Sequence, residues 1–201
     1  MKKILALILS VFCLGTLTVQ AASVIPSSDI VGPRGNVPDG APNDRGFKLF
    51  AIPVQNILSR SGQPSLSDFK WLKNNGWKSV VDLRVNKEKK DIAIDTKIPG
   101  FNSLGFNYLG LPIKDGGVPS ANQVHKFLKF VTNGDNQPSE VHCAAGIGRT
   151  GIMVALYRYQ IQGWSMNQAI KEANLFTKNL PKSQQQWLRK WAKNHKAGSG
   201  A

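Results

Sequence analysis

The run His142-Cys143-Ala144-Ala145-Gly146-Ile147-Gly148-Arg149-Thr150-Gly151 constrains this chain more than any other stretch. It follows a short apolar segment and opens a long apolar-periodic one. A strand, a tight glycine-rich turn and a helix N-terminus satisfy that pattern. Such a turn aims successive backbone N–H groups into one concavity, and the helix dipole adds partial positive charge there. The loop is therefore built for an oxyanion, with Ala144, Ala145, Gly146, Ile147 and Gly148 as its lining. Cys143 stands at the start of the loop, where those donors lower a thiol pKa and hold the thiolate. Arg149, six residues on, can grip two phosphate oxygens at once, which a lysine cannot copy. A nucleophilic sulfur at the base of a phosphate cradle predicts a cysteinyl-phosphate intermediate.

Cys, five residues, then Arg and Thr, flanked by His142, Gly146, Gly148 and Gly151, resembles the active-site loop of the cysteine-dependent protein tyrosine phosphatase superfamily. Upstream, Arg60-Ser61-Gly62-Gln63-Pro64, a helix and then Val80-Val81-Asp82-Leu83-Arg84 resemble the N-terminal half of its dual-specificity branch. The resemblance covers roughly Phe47 to Trp191. It implies that Thr150 assists departure of the sulfur in the second chemical step. His142, next to the nucleophile, is placed to order the loop by hydrogen bonding and to help keep Cys143 ionised. Arg60 and Arg84 are read as structural, in ion pairs or gripping loops.

Ahead of that domain, residues 1–21 read as a secretory signal peptide. Lys2 and Lys3 form a positive start, Ile4 to Val19 an apolar core, and Val19-Gln20-Ala21 a small-residue cleavage site. The apolar run is too short for a membrane anchor. A secreted or periplasmic protein is expected, with no stable membrane association. Loss of Lys2 and Lys3 leaves 24 lysines and arginines against 12 acids, and loss of Cys13 leaves Cys143 as the sole cysteine, with no intramolecular disulfide. Residues 22–46, rich in Pro, Gly, Ser, Asn and Asp, form an irregular N-terminal arm, packed or disordered. Residues 47–196 make the phosphatase-like domain, and 197–201 a flexible tail.

Within the domain, strands are expected at Phe47–Val54, Ile57–Arg60, Lys78–Arg84, Phe106–Ile113 and Ser139–His142. Ser65, Ser120 and Ser165 are N-caps, with Asp68, Gln123 and Gln168 three residues later closing capping boxes. A mostly apolar helix runs from Gly151 to Gln160, and a last one opens at Pro181. The alternation predicts an α/β fold with a central, largely parallel sheet flanked by helices. The ligand site is expected at the carboxyl end of the strand that carries Cys143.

Lys114-Asp115-Gly116-Gly117-Val118-Pro119-Ser120 places an aspartate on a glycine-rich loop between strand and helix. Cleaving a phosphate monoester requires a proton on the leaving oxygen and later a base for the attacking water, and one carboxyl group can serve both. The resemblance gives Asp115 that role; a turn aspartate that stabilises the Gly-Gly bend is the plain alternative. Gln184, Gln185 and Gln186 fall where some family members place a glutamine that positions the hydrolytic water, although exposed helix polars explain them equally.

No metal or other cofactor is expected, since His125, His142, His195 and Cys143 show no ligand spacing. The positive charge points to a polyanionic substrate, and no nucleic-acid motif is visible. The loop also resembles that of tyrosine-phosphatase-like phytases, which implies an inositol polyphosphate substrate. Lys114 and the lysines near 87–90 and 178–182 are candidate clamps for ring phosphates. Positions 144 and 147 carry Ala and Ile where phosphoinositide phosphatases of the superfamily carry lysines, so the charge must come from the rim. A phosphotyrosine or dual-specificity phosphoprotein phosphatase is the alternative.

Overall fold

The computed structural model describes residues 30–44, 47–85, 94–177 and 179–201. The proposed signal peptide, the first part of the arm, the lysines at 87–90 and Lys178 lie outside the described residues. A five-stranded sheet forms the centre, with β1 (Ala51–Val54), β2 (Leu58–Ser61), β3 (Ser79–Asp82), β4 (Asn107–Gly110) and β5 (Ser139–His142) in the order β1-β2-β5-β3-β4. Only β1 runs antiparallel; β2, β5, β3 and β4 are parallel. The sheet is thus α/β and largely parallel, as the alternation of elements predicts. Its last-formed strand in sequence, β5, lies in the middle, so the loop after His142 emerges between the carboxyl ends of two parallel neighbours.

Among the described residues five helices cover the two faces: α1 (Leu66–Asn74), α2 (Ala121–Val131), α3 (Gly148–Gln160), α4 (Met166–Asn174) and α5 (Lys182–Asn194). The capping boxes at Ser65/Asp68, Ser120/Gln123 and Ser165/Gln168 all form, each satisfying orphan backbone donors reciprocally. On one face of the sheet, Leu58, Val81 and Val141 pack with Phe127, Leu128, Ile152, Leu156, Ala169 and Leu188 from α2 to α5. On the other, Phe69 and Leu72 of α1 join Phe47, Phe50, Trp77, Val80 and Phe101 in an aromatic cluster. Strand side chains alternate between these two environments. Helix α3 is buried from Arg149 to Gln160, so it is the central helix behind the loop.

Several boundaries differ from those read in sequence. Phe47–Leu49 is a 3-10 turn rather than part of β1, because Phe47 and Phe50 stack with centroids 4.2 Å apart and the turn brings them together. Helix α3 begins at Gly148, not Gly151, which puts Arg149 and Thr150 in its first turn. Residues 30–44 pack on the domain: Arg34 N–H donates to Phe50 O, Ile52 N–H to Gly35 O, and Val31 is buried beside Ala51 and Phe176. In the 197–201 tail, Gly198 and Gly200 N–H groups donate to Tyr159 and Gln160 carbonyls at the end of α3.

Phe69 is fully buried against Phe101, Phe106 and the His142 ring. Phe69→Ala should lower the unfolding free energy by about 3–5 kcal/mol, read as a fall in the urea midpoint. An unchanged midpoint would contradict this packing.

Candidate active site

The loop after β5 takes its shape from contacts on its outer side. Ala144 O accepts from Gln63 N–H at 3.1 Å, and Gly146 O accepts from Arg60 Nη2 at 2.5 Å. Both carbonyls are drawn toward the Arg60–Gln63 segment. The Gly146 N–H turns the other way and donates to Cys143 Sγ at 3.2 Å. Only glycine fits at 146. Its φ is +73°, and a Cβ there would stand 2.4 Å from Gly62 N.

Arg60 is fully buried, with its guanidinium 3.5 Å above the Phe176 ring. Burial lowers its pKa to about 10, opposed by Glu172, Cys143 and Glu140, and the group stays cationic at neutral pH. The sequence reading of Arg60 as a structural grip on a loop agrees with this contact.

Cys143 is buried at the base of the loop. Burial alone would raise its thiol pKa. The Thr150 hydroxyl and N–H, the Arg149 charge and the Gly146 N–H outweigh that and bring it below the ordinary value. Thr150 Oγ1 is buried without a hydrogen-bond partner, so it remains available to the sulfur.

Arg149 crosses the mouth of the loop. Its Nη1 donates to Ile113 O at 3.2 Å and its Nη2 pairs with Asp115 Oδ1 at 3.1 Å, with Arg149 buried and Asp115 exposed. Cys143 and Thr150 at the base of the loop are thus linked through Arg149 to Asp115 at its mouth. Asp115 sits in a turn closed by Gly117 N–H to Lys114 O at 2.8 Å, with Gly116 at φ +71°. Lys114 is exposed beside it, and Ala145 is the exposed residue of the loop lining; Ala144, Ile147 and Gly148 are half-buried.

His142 points away from the sulfur, into the α1 face of the sheet. Its Nε2 lies 2.7 Å from Asp95 Oδ2 and its Nδ1 3.4 Å from Cys143 O. Burial disfavours the imidazolium, but Asp95 and Asp82 outweigh it and raise the pKa to about 9. Arg84 completes the cluster. It is forked onto Asp82 at 2.9 and 2.8 Å and also reaches Asp95 at 2.7 Å. Gln63 Nε2 donates to Asp95 at 3.1 Å, so the same residue braces both this network and Ala144. Asp82, Asp95 and His142 offer ligand atoms within 4.8 Å of one another, but two cations, Arg84 and His142, already neutralise the two carboxylates. The geometry is that of a buried ion-pair cluster rather than a metal centre.

Asp95 has no counterpart among the residues that the sequence points to, and the sequence does not separate Gln184 from Gln185 and Gln186. Asp95 lies in a 3-10 turn after a charged stretch and has no sequence signal. Gln184 was one of three adjacent glutamines. The fold buries it alone, against Gly148, while Gln185 turns back to Leu180 O and Gln186 is exposed.

Comparison with known proteins agrees with this geometry. Residues 50–190 match the family described as "DSP-PTPase phosphatase fused to NAD+ Kinase". The chain is 35% identical over 103 residues to a probable chloroplastic NAD kinase 2 of Oryza sativa subsp. japonica, a match taking in 51% of this chain and 10% of that protein. It is 26% identical over 136 residues to the putative tyrosine-protein phosphatase OCA1 of Debaryomyces hansenii, over 64% of this chain and 67% of that one. The core catalytic domain of the PP-IP phosphatase SIW14 from S. cerevisiae, solved with citrate, has the same fold: TM-score 0.56 at 20% identity, over 72% of this chain and 91% of that chain. This chain spans about a tenth of the length of the plant NAD kinases it matches.

The His142 network gives stability a pH dependence of fixed sign. The folded pKa of about 9 exceeds the ordinary 6.5, so the stabilisation is complete below 6.5 and lost as pH rises through 9. In Cys143→Ser, which removes the thiol titration, unfolding free energy should fall by roughly 3 kcal/mol across that window. Asp95→Asn should flatten the fall. Denaturant titrations that stay level from pH 6.5 to 9 would contradict the charged imidazole.

Proposed function

Because the chain belongs to the dual-specificity-type protein tyrosine phosphatase family, whose members are cysteine-dependent phosphomonoester hydrolases, we propose that it hydrolyses phosphate monoesters through Cys143. The observation that carries this reading is a donor-stabilised Cys143 sulfur linked through Arg149 to Asp115 at the loop mouth. In the proposed reaction, phosphate oxygens take the loop N–H groups and the Arg149 guanidinium, displacing the Asp115 carboxylate from its ion pair, and the freed carboxylate takes up a proton from solvent. The Cys143 thiolate attacks phosphorus. The bond to the leaving oxygen breaks as the Asp115 carboxyl gives that oxygen its proton. Asp115, now a carboxylate, then takes a proton from water as the water attacks the cysteinyl phosphate. The sulfur leaves as thiolate, accepting a hydrogen bond from the Thr150 hydroxyl. His142 takes no proton in this scheme; it fixes the Cys143 carbonyl from behind.

The favoured substrate class is an inositol polyphosphate. Among the described residues the exposed acids are Asp39, Asp44, Asp115 and Asp135, whereas α5 alone exposes Lys182, Arg189, Lys190 and Lys193 without an acid. Five other acids, Asp68, Asp82, Asp95, Glu140 and Glu172, are buried, and so are Arg60, Arg84, Arg149 and Arg158, so the basic excess of the sequence lies on the surface. Such a field concentrates polyanions. Lys114 beside Asp115 and Lys182 at the start of α5 are the described candidates for extra phosphate contacts. The likeness to a PP-IP phosphatase domain supports the same class. A phosphoprotein substrate is the second reading, favoured by the sequence relationship to the putative tyrosine-protein phosphatase. The signal-peptide reading of residues 1–21 places the proposed activity in the periplasm or outside the cell.

Purified protein, assayed without added metal, should release phosphate from phytate with kcat/KM at least about tenfold above that for a phosphotyrosine peptide. Cys143→Ser should release none from either. Preference for the peptide would replace the first substrate reading by the second, and turnover by Cys143→Ser would overturn the covalent route.

A further inference from the structure

Helix α5 sends one side chain into the catalytic end of the sheet. Gln184, in its first turn, is 1% exposed. Its Nε2 donates to Gly117 O at 3.0 Å, across 67 residues of sequence. Its amide also lies against Gly148, where a Cβ would stand 3.1 Å from Oε1 and 3.2 Å from Nε2. One side chain thus touches both the turn that carries Asp115 and the loop that carries Cys143. Oε1 is buried without a hydrogen-bond partner. An amide that makes one bond and forfeits another gains little stability from its burial, so stability alone does not account for its position.

The Asp115 turn is anchored unevenly. Before the aspartate, Ile113 O accepts from Arg149 Nη1 and Pro112 O from Gln123 Nε2 at 2.8 Å. After it come Gly116, at φ +71° with open space around it, and Gly117, both conformationally soft. Between Asp115 and the Ser120 cap, the Gln184 amide is the one side chain that hydrogen-bonds the turn among the described residues. Losing that bond frees the distal half of the turn to swing about its glycines.

We propose that Gln184 is a positioning residue that latches the Lys114–Gly117 turn to the phosphate loop and so sets Asp115 over the leaving-group oxygen. The inference builds on the reading of Asp115 as general acid and adds to it a fixed partner on α5. It differs from water positioning, because it acts on the first chemical step, before any water attacks.

That difference is measurable. kcat/KM reports events through phosphorylation of Cys143, whereas a water-positioning defect appears in kcat and in burst kinetics. The experiment compares kcat/KM for 2,4-dinitrophenyl phosphate, whose leaving group needs no proton, with phenyl phosphate, whose leaving group does. Wild type, Gln184→Leu, Gln184→Met, Asp115→Asn and the double variant Gln184→Leu/Asp115→Asn are assayed, and the rate of Cys143 alkylation by iodoacetate checks the phosphate loop in each. The latch predicts that both Gln184 variants lose about tenfold more on phenyl phosphate than on the dinitrophenyl ester, with alkylation near the wild-type rate. In the Asp115→Asn background, Gln184→Leu should cost no further leaving-group discrimination. Equal losses on both esters, or a defect confined to kcat, with Asp115→Asn still discriminating, would overturn the latch and leave the general acid standing. Loss of discrimination by Asp115→Asn itself would overturn both.

Discussion

The orientation of two peptide groups governs everything else at this site. Ala144 O and Gly146 O face outward because Gln63 N–H and the Arg60 guanidinium take them. The N–H of the intervening Ala145–Gly146 peptide faces the other way and meets the sulfur. Reversing either peptide would point an oxygen lone pair at a thiolate and at any bound phosphate. The brace is backbone-tight, since Gly146 and Gly62 approach too closely for any side chain. It follows that the Arg60–Gln63 segment at the end of β2 is as much part of the anion cradle as the loop itself.

Behind the cradle, the α1 face of the central strands is polar where a parallel sheet is ordinarily apolar. Ser59, Ser61, Asp82, Glu140 and His142 are all buried there. Each finds partners. Ser59 and Ser61 donate to Glu140, whose carboxyl is pushed up to about 7 by burial against those hydrogen bonds. Arg84 bridges Asp82 and Asp95, and Asp95 also pairs with the His142 imidazolium. Buried charges are costly to strip of water, and a closed network tolerates no single deletion. Its return is geometric: the network fixes the His142 ring, and with it the carbonyl of Cys143, from the side opposite the substrate.

Much of this was legible in the sequence because local rules and global fold agree. The capping boxes at Ser65, Ser120 and Ser165, the apolar stripe of α2 and the strand–loop–helix reading around Cys143 all depend on neighbours in the chain. Cys143 and Arg149 point to an anion-binding loop for the same reason, whereas Thr150 and Asp115 take their candidate roles from the family resemblance. What stayed hidden depends on tertiary contact. Asp95 acquires meaning only when Arg84, His142 and Gln63 converge on it. Gln184 is distinguished from Gln185 and Gln186 only by which face of α5 meets Gly148 and Gly117. The start of α3 at Gly148 also needed the fold, since glycines in sequence argue for a turn while the anion-binding geometry requires a helix N-terminus there.

The central claim is that the Cys143 sulfur, held by this cradle, becomes covalently phosphorylated during turnover. Rapid acid quench of the enzyme during the first turnover of p-nitrophenyl phosphate, followed by peptide mass analysis, tests it directly. The account predicts a phosphate adduct on the peptide containing Cys143, forming as p-nitrophenol is released and decaying with product phosphate. Turnover at the same rate with no adduct on that peptide at any quench time would contradict it.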